Sequence, residues 1–337
     1  MIFQLLIVLA AIVIGARKGG IGLGVAGGLG LAVLTFGFGL RPTSPPIDVM
    51  LMIAAVIAAA SCMQAAGGLD LMVKWAERLL RRHPQHITLL SPLVTYLFTL
   101  LAGTGHVAYS ILPVIAEVAT ETKVRPERPL SIAVIASQQA ITASPISAAT
   151  VVLLSMLAGY DITLIDIMKI AIPCTMAGVL LGALYSMKIG KELADDPEYR
   201  RRLAEGAFES KHRHTREVEN PRGALLSVVL FLVATVGIVI FGSSEALRPV
   251  FHTNEGTVPM QMSHIIEILM LSAAALMLIG TRTNGIRAVQ GSVFSAGMQA
   301  VIAIFGIAWM GDTFISGNMA ALKGGIEQYV TTMPWLF

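Results

Sequence analysis

Between residues 87 and 119 an apolar run is interrupted by Gly103, Thr104, Gly105 and His106, with Tyr109, Ser110 and Pro113 just beyond. A break of this kind frees the N–H groups at the start of the following helix. The positive end of the helix dipole gathers there, and such groups hold anions. Thr104 is placed to cap that helix, Tyr109 and Ser110 fall in its first turns, and His106 can donate to an anion or, protonated, add charge. A kink that only lets helices pack closely is the competing reading. A second break lies in residues 137–150, SQQAITASPISAAT. Pro145 removes a helix hydrogen bond and clashes with the preceding turn. Ser137, Gln138, Gln139, Thr142, Ser144 and Ser147 surround it, and a proline kink satisfied by neighbouring hydroxyls is again the simpler alternative. The two breaks, 103–113 and 137–150, together offer helix ends, hydroxyls, amides and one imidazole, with no Asp or Glu among them.

Little else in the chain is equipped for catalysis. There is no HExxH, no GxSxG and no pair of aspartates within the apolar runs, so the protein is not expected to be an enzyme. Gly22-x-Gly24-x-x-Gly27, with Asp48 behind it, has dinucleotide spacing. It lies inside an apolar run, however, and the fingerprint needs a strand before it and a helix after it. Gly20, Gly24 and Gly28 read instead as a small-residue ridge for close helix packing. Cys62 and Cys174 are too few for a disulfide framework and lack metal-ligand spacing, so neither metal nor cofactor is expected. Asp166 with Lys169 reads as a local pair. His264 with Glu267 reads as an interfacial pair or a proton relay, and His83, His212, His214 and His252 as solvated loop residues.

These residues must be held in a membrane. Of the 337 residues 55% are hydrophobic and 13% charged. The mean hydropathy is +0.74. A soluble domain carries about a quarter charged residues. Apolar runs that each span a bilayer, ~17–25 residues, occupy 2–16, 20–40, 47–66, 130–158, 163–187, 223–242, 260–280 and 290–310. Arg17 and Lys18 follow the first run rather than precede it, the wrong order for a cleaved signal. Residues 69–82 predict an interfacial amphipathic helix, with Met72, Trp75, Ala76 and Leu79 on one face and Lys74, Arg78 and Arg81 on the other. Residues 313–331 predict a second. The formal charge of +3 implies no nucleic-acid partner, because the basic residues lie between spans.

Segment 188–222 holds nine Lys/Arg and is expected in the cytoplasm. Alternation then leaves only Arg41, Lys169, Arg248 and Lys323 outside, and the N-terminus in the periplasm. The two halves of 87–119 have about 16 and about 14 residues, each short for a full crossing. They predict a re-entrant hairpin whose Gly-Thr-Gly tip reaches toward the midplane, a site for irregular backbone only where protein or a watery cavity surrounds it. Broken helices at that depth are how many secondary transporters build their sites. Residues 63–80 and 309–330 each end a span and begin an amphipathic arm, on opposite sides of the membrane. The fold expected is therefore an all-α polytopic membrane protein built as an inverted repeat: residues 1–187, the cytoplasmic loop 188–222, and 223–337 as an incomplete second copy.

Seven stretches carry a resemblance along the whole chain: GARKGGI (15–21), AAGGLD (65–70), LLRRHP (79–84), GTGHVAYSILPVI (103–115), RPERPL (125–130), ITASPISAA (141–149) and GIAWMGDTF (306–314). In order, they resemble the anaerobic C4-dicarboxylate exchangers, the Dcu family. GARKGG and the His of GTGH are closer to its DcuB branch, ITASPISAA to its DcuA branch. The resemblance implies a bacterial inner-membrane antiporter that takes up fumarate, malate or aspartate and releases succinate in anaerobic respiration. It also implies an ion-transporter-superfamily fold, and a homodimer and a sensor kinase as candidate partners. It puts the first hairpin tip at Gly103–His106 and the first broken helix at 144–147; with the polar residues beside these breaks, the candidate substrate-binding set is Gly103, Thr104, Gly105, His106, Tyr109, Ser137, Gln138, Ser144, Pro145 and Ser147. The family's second hairpin and second broken helix would lie beyond residue 337. The expectation is thus a fragment that inserts without exchanging substrate. A channel, or a membrane sensor partner without exchange activity, is the alternative from another class.

Overall fold

The computed structural model describes residues 1–157, 160, 162–190, 192–204, 220–253 and 256–323. They form helices α1 (Ile2–Lys18), α2 (Gly22–Ala32), α3 (Ile47–Ala65), α4 (Gly68–Arg82), α5 (Ile87–Ala102), α6 (Ala108–Glu121) and α7 (Glu127–Ala143). There follow α8 (Ala148–Met156), α9 (Leu164–Ser186), α10 (Pro197–Ala204), α11 (Pro221–Ser243), α12 (Met262–Thr281), α13 (Gly285–Gln290) and α14 (Ser292–Gly317). A short antiparallel hairpin, β1 (Val250–Thr253) and β2 (Gly256–Pro259), joins α11 to α12, with Phe251 opposite Val258. Six helices among the described residues are long and apolar enough to cross a membrane. The protein is an all-α polytopic membrane protein. One of the six is α5 taken with its short lead-in, Pro84–Ala102 at 19 residues, while α5 itself, Ile87–Ala102, has the 16 residues of the half-helix expected. The residues fall into two compact units, Met1–Ala54 with the chain from Ser295, and Ala55–Phe294.

In the first unit, glycine sets how closely helices approach. A Cβ on Gly15 would lie 2.7 Å from Leu23 Cα, which brings α1 against α2. The face of α2 that meets α14 consists of Gly24, Gly27 and Gly30, packed on Ile302, Gly306 and Met310. This corrects the expected ridge. Gly28 faces open space and Gly20 lies before the helix, with φ 54°. The contact therefore follows the i, i+3, i+6 positions that drift round to one side of a helix, not a strict four-residue repeat. Trp309 Nε1 donates to Thr43 O at 2.5 Å, and Thr43 N donates to the fully buried Thr313 Oγ1 at 3.2 Å. These bonds fasten the α2–α3 connection to α14. Helix α14 itself runs unbroken to Gly317, so residues 313–317 belong to the span and not to a second amphipathic arm. Residues 324–331 of that arm lie outside the described residues, as do His212 and His214.

In the second unit, α5, α7 and α9 form the core. Tyr96 is almost fully buried among Ala136, Ala140, Ala143 and Val179, and its hydroxyl bonds Thr175 Oγ1 at 2.8 Å. The alanines let backbones come close, as in other membrane bundles. Helix α4 does form after Gly67 turns the chain with φ 81°. Its buried face is Leu69, Met72, Val73, Ala76 and Leu80. Trp75 and Leu79, expected on that face, are exposed instead. Arg81 reaches Glu77, Glu117 and Glu121 at 2.9, 2.8 and 2.6 Å, joining α4 to α6. Asp166 pairs with Lys169 at 3.3 Å as expected and completes a capping box with Thr163. His252 is exposed, but on β1 rather than in a loop.

The start of the polar segment is strapped to the base of α7. Arg128, only 9% exposed, donates from Nε to Ile189 O at 2.7 Å, from Nη2 to Gly190 O at 3.0 Å and from Nη1 to Glu192 at 2.9 Å. Arg125 reaches Asp196 at 3.0 Å. Tyr199 N–H, then Glu198 N–H and Arg125, hold the Asp196 carboxyl below the usual carboxylate range, against desolvation, which raises it. A lowered native pKa gives stability that is complete above the ordinary value, roughly pH 4, and is lost as pH falls through the lowered one. Arg128→Ala is expected to cost about 2 kcal/mol, as removal of charged hydrogen bonds does. Arg128→Lys should recover little, since an ammonium cannot reproduce the planar fork. Thermal unfolding in detergent measures both.

Candidate functional site

The turn between α5 and α6 packs on the break between α7 and α8. Helix α5 ends at Gly103 in the left-handed conformation, φ 70°, and a short turn at Gly105–Val107 leads into α6. A Cβ on Gly103 would lie 2.8 Å from Ile146 Cγ1 and 3.1 Å from Ile146 O. One on Gly105 would lie 3.1 Å from Gln138 Nε2 and 3.2 Å from Ser137 Oγ. Both glycines thus permit the two breaks to touch. Helix α7 stops at Ala143, Ser144 turns extended (φ −78°, ψ 130°), and α8 restarts at Ala148, so the break falls at residues 144–147 as the proline placed it.

Interrupting a helix strands carbonyl groups, each costly if left unpaired away from water. Here hydroxyls take them up. Ser144 Oγ donates to Leu100 O at 2.7 Å, and Ser137 Oγ to Gly105 O at 3.3 Å. Ser147 Oγ donates to Ile141 O at 2.5 Å, and Thr150 Oγ1 to Thr142 O at 3.2 Å. Ser147 Oγ also accepts from Thr150 N at 3.2 Å, which caps α8. The three serines are buried, as is Pro145. They hold the breaks together. Facing outward are Gln138 and Tyr109, both exposed, and Thr104, half-buried. The side chain of His106 lies outside those described.

The breaks differ in their helix starts. At α8 a hydroxyl occupies the first turn, whereas Val107, the N-cap of α6, supplies no side-chain hydrogen bond. Two supporting residues escaped the sequence reading. Thr99 Oγ1 bonds Ser137 Oγ at 2.9 Å, and Thr95 Oγ1 donates to Ala133 O at 2.9 Å. With the buried Ser91 they recur every four residues on α5, Thr95 and Thr99 reaching α7. Their spacing at 91, 95 and 99 was the available signal, since residues four apart share a helix face.

The sequence profile of the anaerobic C4-dicarboxylate membrane transporters matches residues 1–337. The chain belongs to this family. It is 45% identical to the C4-dicarboxylate transporter DcuA of Escherichia coli over 343 residues, covering 100% of the chain and 76% of that relative. Against DcuA of Wolinella succinogenes the identity is 43% over 339 residues, with coverage of 100% and 76%. Against the anaerobic C4-dicarboxylate transporter DcuB of Shigella flexneri it is 40% over 343 residues, with coverage of 99% and 76%. No solved structure matches the chain. A transporter family, rather than an enzyme class, accords with a site built from helix ends, hydroxyls and amides. Neither break contains Asp or Glu.

Proposed function

We propose that the chain carries C4 dicarboxylates across the bacterial inner membrane by exchange, taking in fumarate, malate or aspartate and releasing succinate. One observation carries the reading: two chain breaks meet in one place, where buried hydroxyls take up carbonyls of the neighbouring helix ends. One substrate carboxylate sits at the N–H groups of the Gly105–Val107 turn, flanked by Thr104, Tyr109 and Gln138. Ser137, Ser144, Pro145 and Ser147 keep that turn in place. Helix pair α5–α6 is a re-entrant hairpin entering from the cytoplasm, with the N-terminus periplasmic and 188–222 cytoplasmic. Residues 1–187 and 223–337 are inverted copies that alternate access to the site.

Counterflow of radiolabelled succinate against internal fumarate in proteoliposomes tests the reading. Equilibration without counterflow indicates a channel, and neither indicates a sensor partner. We propose further that the His106 imidazolium helps hold the dianion. His106→Gln should then weaken binding more at acidic than at neutral pH, by about 1 kcal/mol, because only the charged ring adds attraction. An unchanged pH profile of binding would remove that role.

A further inference from the structure

We infer that the outer face of α4 is a binding surface for anionic phospholipid headgroups of the membrane in which the protein sits. The helix turns one side to the protein, through Met72, Val73, Ala76 and Leu80. The side turned away combines two kinds of residue. Trp75 and Leu79 are 41% and 43% exposed, and Lys74, Arg78 and Arg82 are exposed beside them. Lys74, Arg78 and Arg82 recur every four residues, as do Trp75 and Leu79, so a basic row and an apolar row run side by side along the exposed part of the helix. Against these cations the helix sets only Glu77, which Arg81 engages, and Asp70, one turn before Lys74, so the helix keeps a positive charge toward its C-terminal end.

The occupant follows from the chemistry and from the position in the chain. Helix α4 begins three residues after the membrane-crossing α3 ends, and the next candidate span begins at Pro84. Both ends of α4 are therefore tied to the bilayer. An indole and a leucine in water gain by entering the acyl boundary, where tryptophan's amphipathic ring is favoured. Lys and Arg beside them extend to the phosphate level, and each basic residue near an anionic surface adds attraction that salt screens. A zwitterionic headgroup would accommodate Trp75 and Leu79 equally well. The three cations make the surface selective.

Quenching by brominated lipids in nanodiscs of the full chain tests this. The Trp75 signal is the fluorescence difference between the wild type and Trp75→Phe. Brominated phosphatidylglycerol, mixed at low fraction into phosphatidylcholine, is expected to quench that signal at least twofold more than brominated phosphatidylcholine at the same fraction. High salt should reduce the preference, and Lys74→Gln/Arg78→Gln/Arg82→Gln should remove it while quenching by phosphatidylcholine persists. Equal quenching by the two lipids in the wild type would overturn the inference. So would a preference that survives the triple substitution, or a Trp75 signal that neither lipid quenches. Transport is not the readout, so a failure here leaves the exchange reading standing.

Discussion

Replacing Gly105 with leucine should abolish binding of C4 dicarboxylates while the protein still inserts into the membrane. The argument rests on space. A Cβ at residue 105 would already lie 3.1 Å from Gln138 Nε2 and 3.2 Å from Ile141 Cδ1 and Ser137 Oγ. Gln138 can swing aside, but the buried Ser137 and the half-buried Ile141 must also give before the remaining atoms of leucine fit, which is expected to displace the turn from α7. Overpacking a filled site costs about 1–3 kcal/mol. Lifting the turn also breaks the Ser137–Gly105 bond and moves the N–H groups proposed to face a carboxylate. The apolar runs that drive insertion are untouched. Radiolabelled fumarate binding, beside the yield of membrane-inserted protein, measures the two effects separately. Near-normal affinity in this variant would leave the glycines as a packing kink and remove the anion site.

Gly306→Leu is expected to weaken the first unit strongly. Gly306 and Gly24 meet backbone to backbone, so a Cβ at residue 306 would overlap the Gly24 carbonyl. Backbone cannot swing aside as a flexible side chain can. Helices α2 and α14 must separate, with loss of the contacts of Gly27 and Gly30 along the same face. The cost should exceed the upper end of ordinary overpacking, about 3 kcal/mol. The thermal midpoint in detergent should fall by several degrees. Gly28→Leu is the matched control, because a Cβ at that position meets nothing within 4 Å. Equal losses in the two variants would mean that the crossing is not where the stability resides.

The sequence alone determined the solvent, the main helices and the position of both breaks. Length and apolarity are properties of a segment by itself, and a membrane leaves it few conformations besides a helix. Pro145 and the Gly103–Gly105 pair act within a turn or two of their own position, so α7 stops at Ala143 and α5 at Ala102 as their residues require. Tertiary structure decided what could not be local. Ser137, Ser144 and Ser147 read equally well as substrate ligands or as caps, and only the carbonyls of Leu100, Gly105 and Ile141 across from them assign the hydroxyls to the backbone. The glycine ridge followed Gly24 and Gly27 rather than Gly20 and Gly28, since the partner helix chooses which side of α2 is approached. Helix α4 shows the same division. Its amphipathic pattern announced a helix with two faces, yet Trp75 and Leu79 turned outward, because the protein offers a surface only as wide as Met72, Val73, Ala76 and Leu80 can cover. A periodic pattern specifies that a face exists, and its neighbours specify where the face begins and ends.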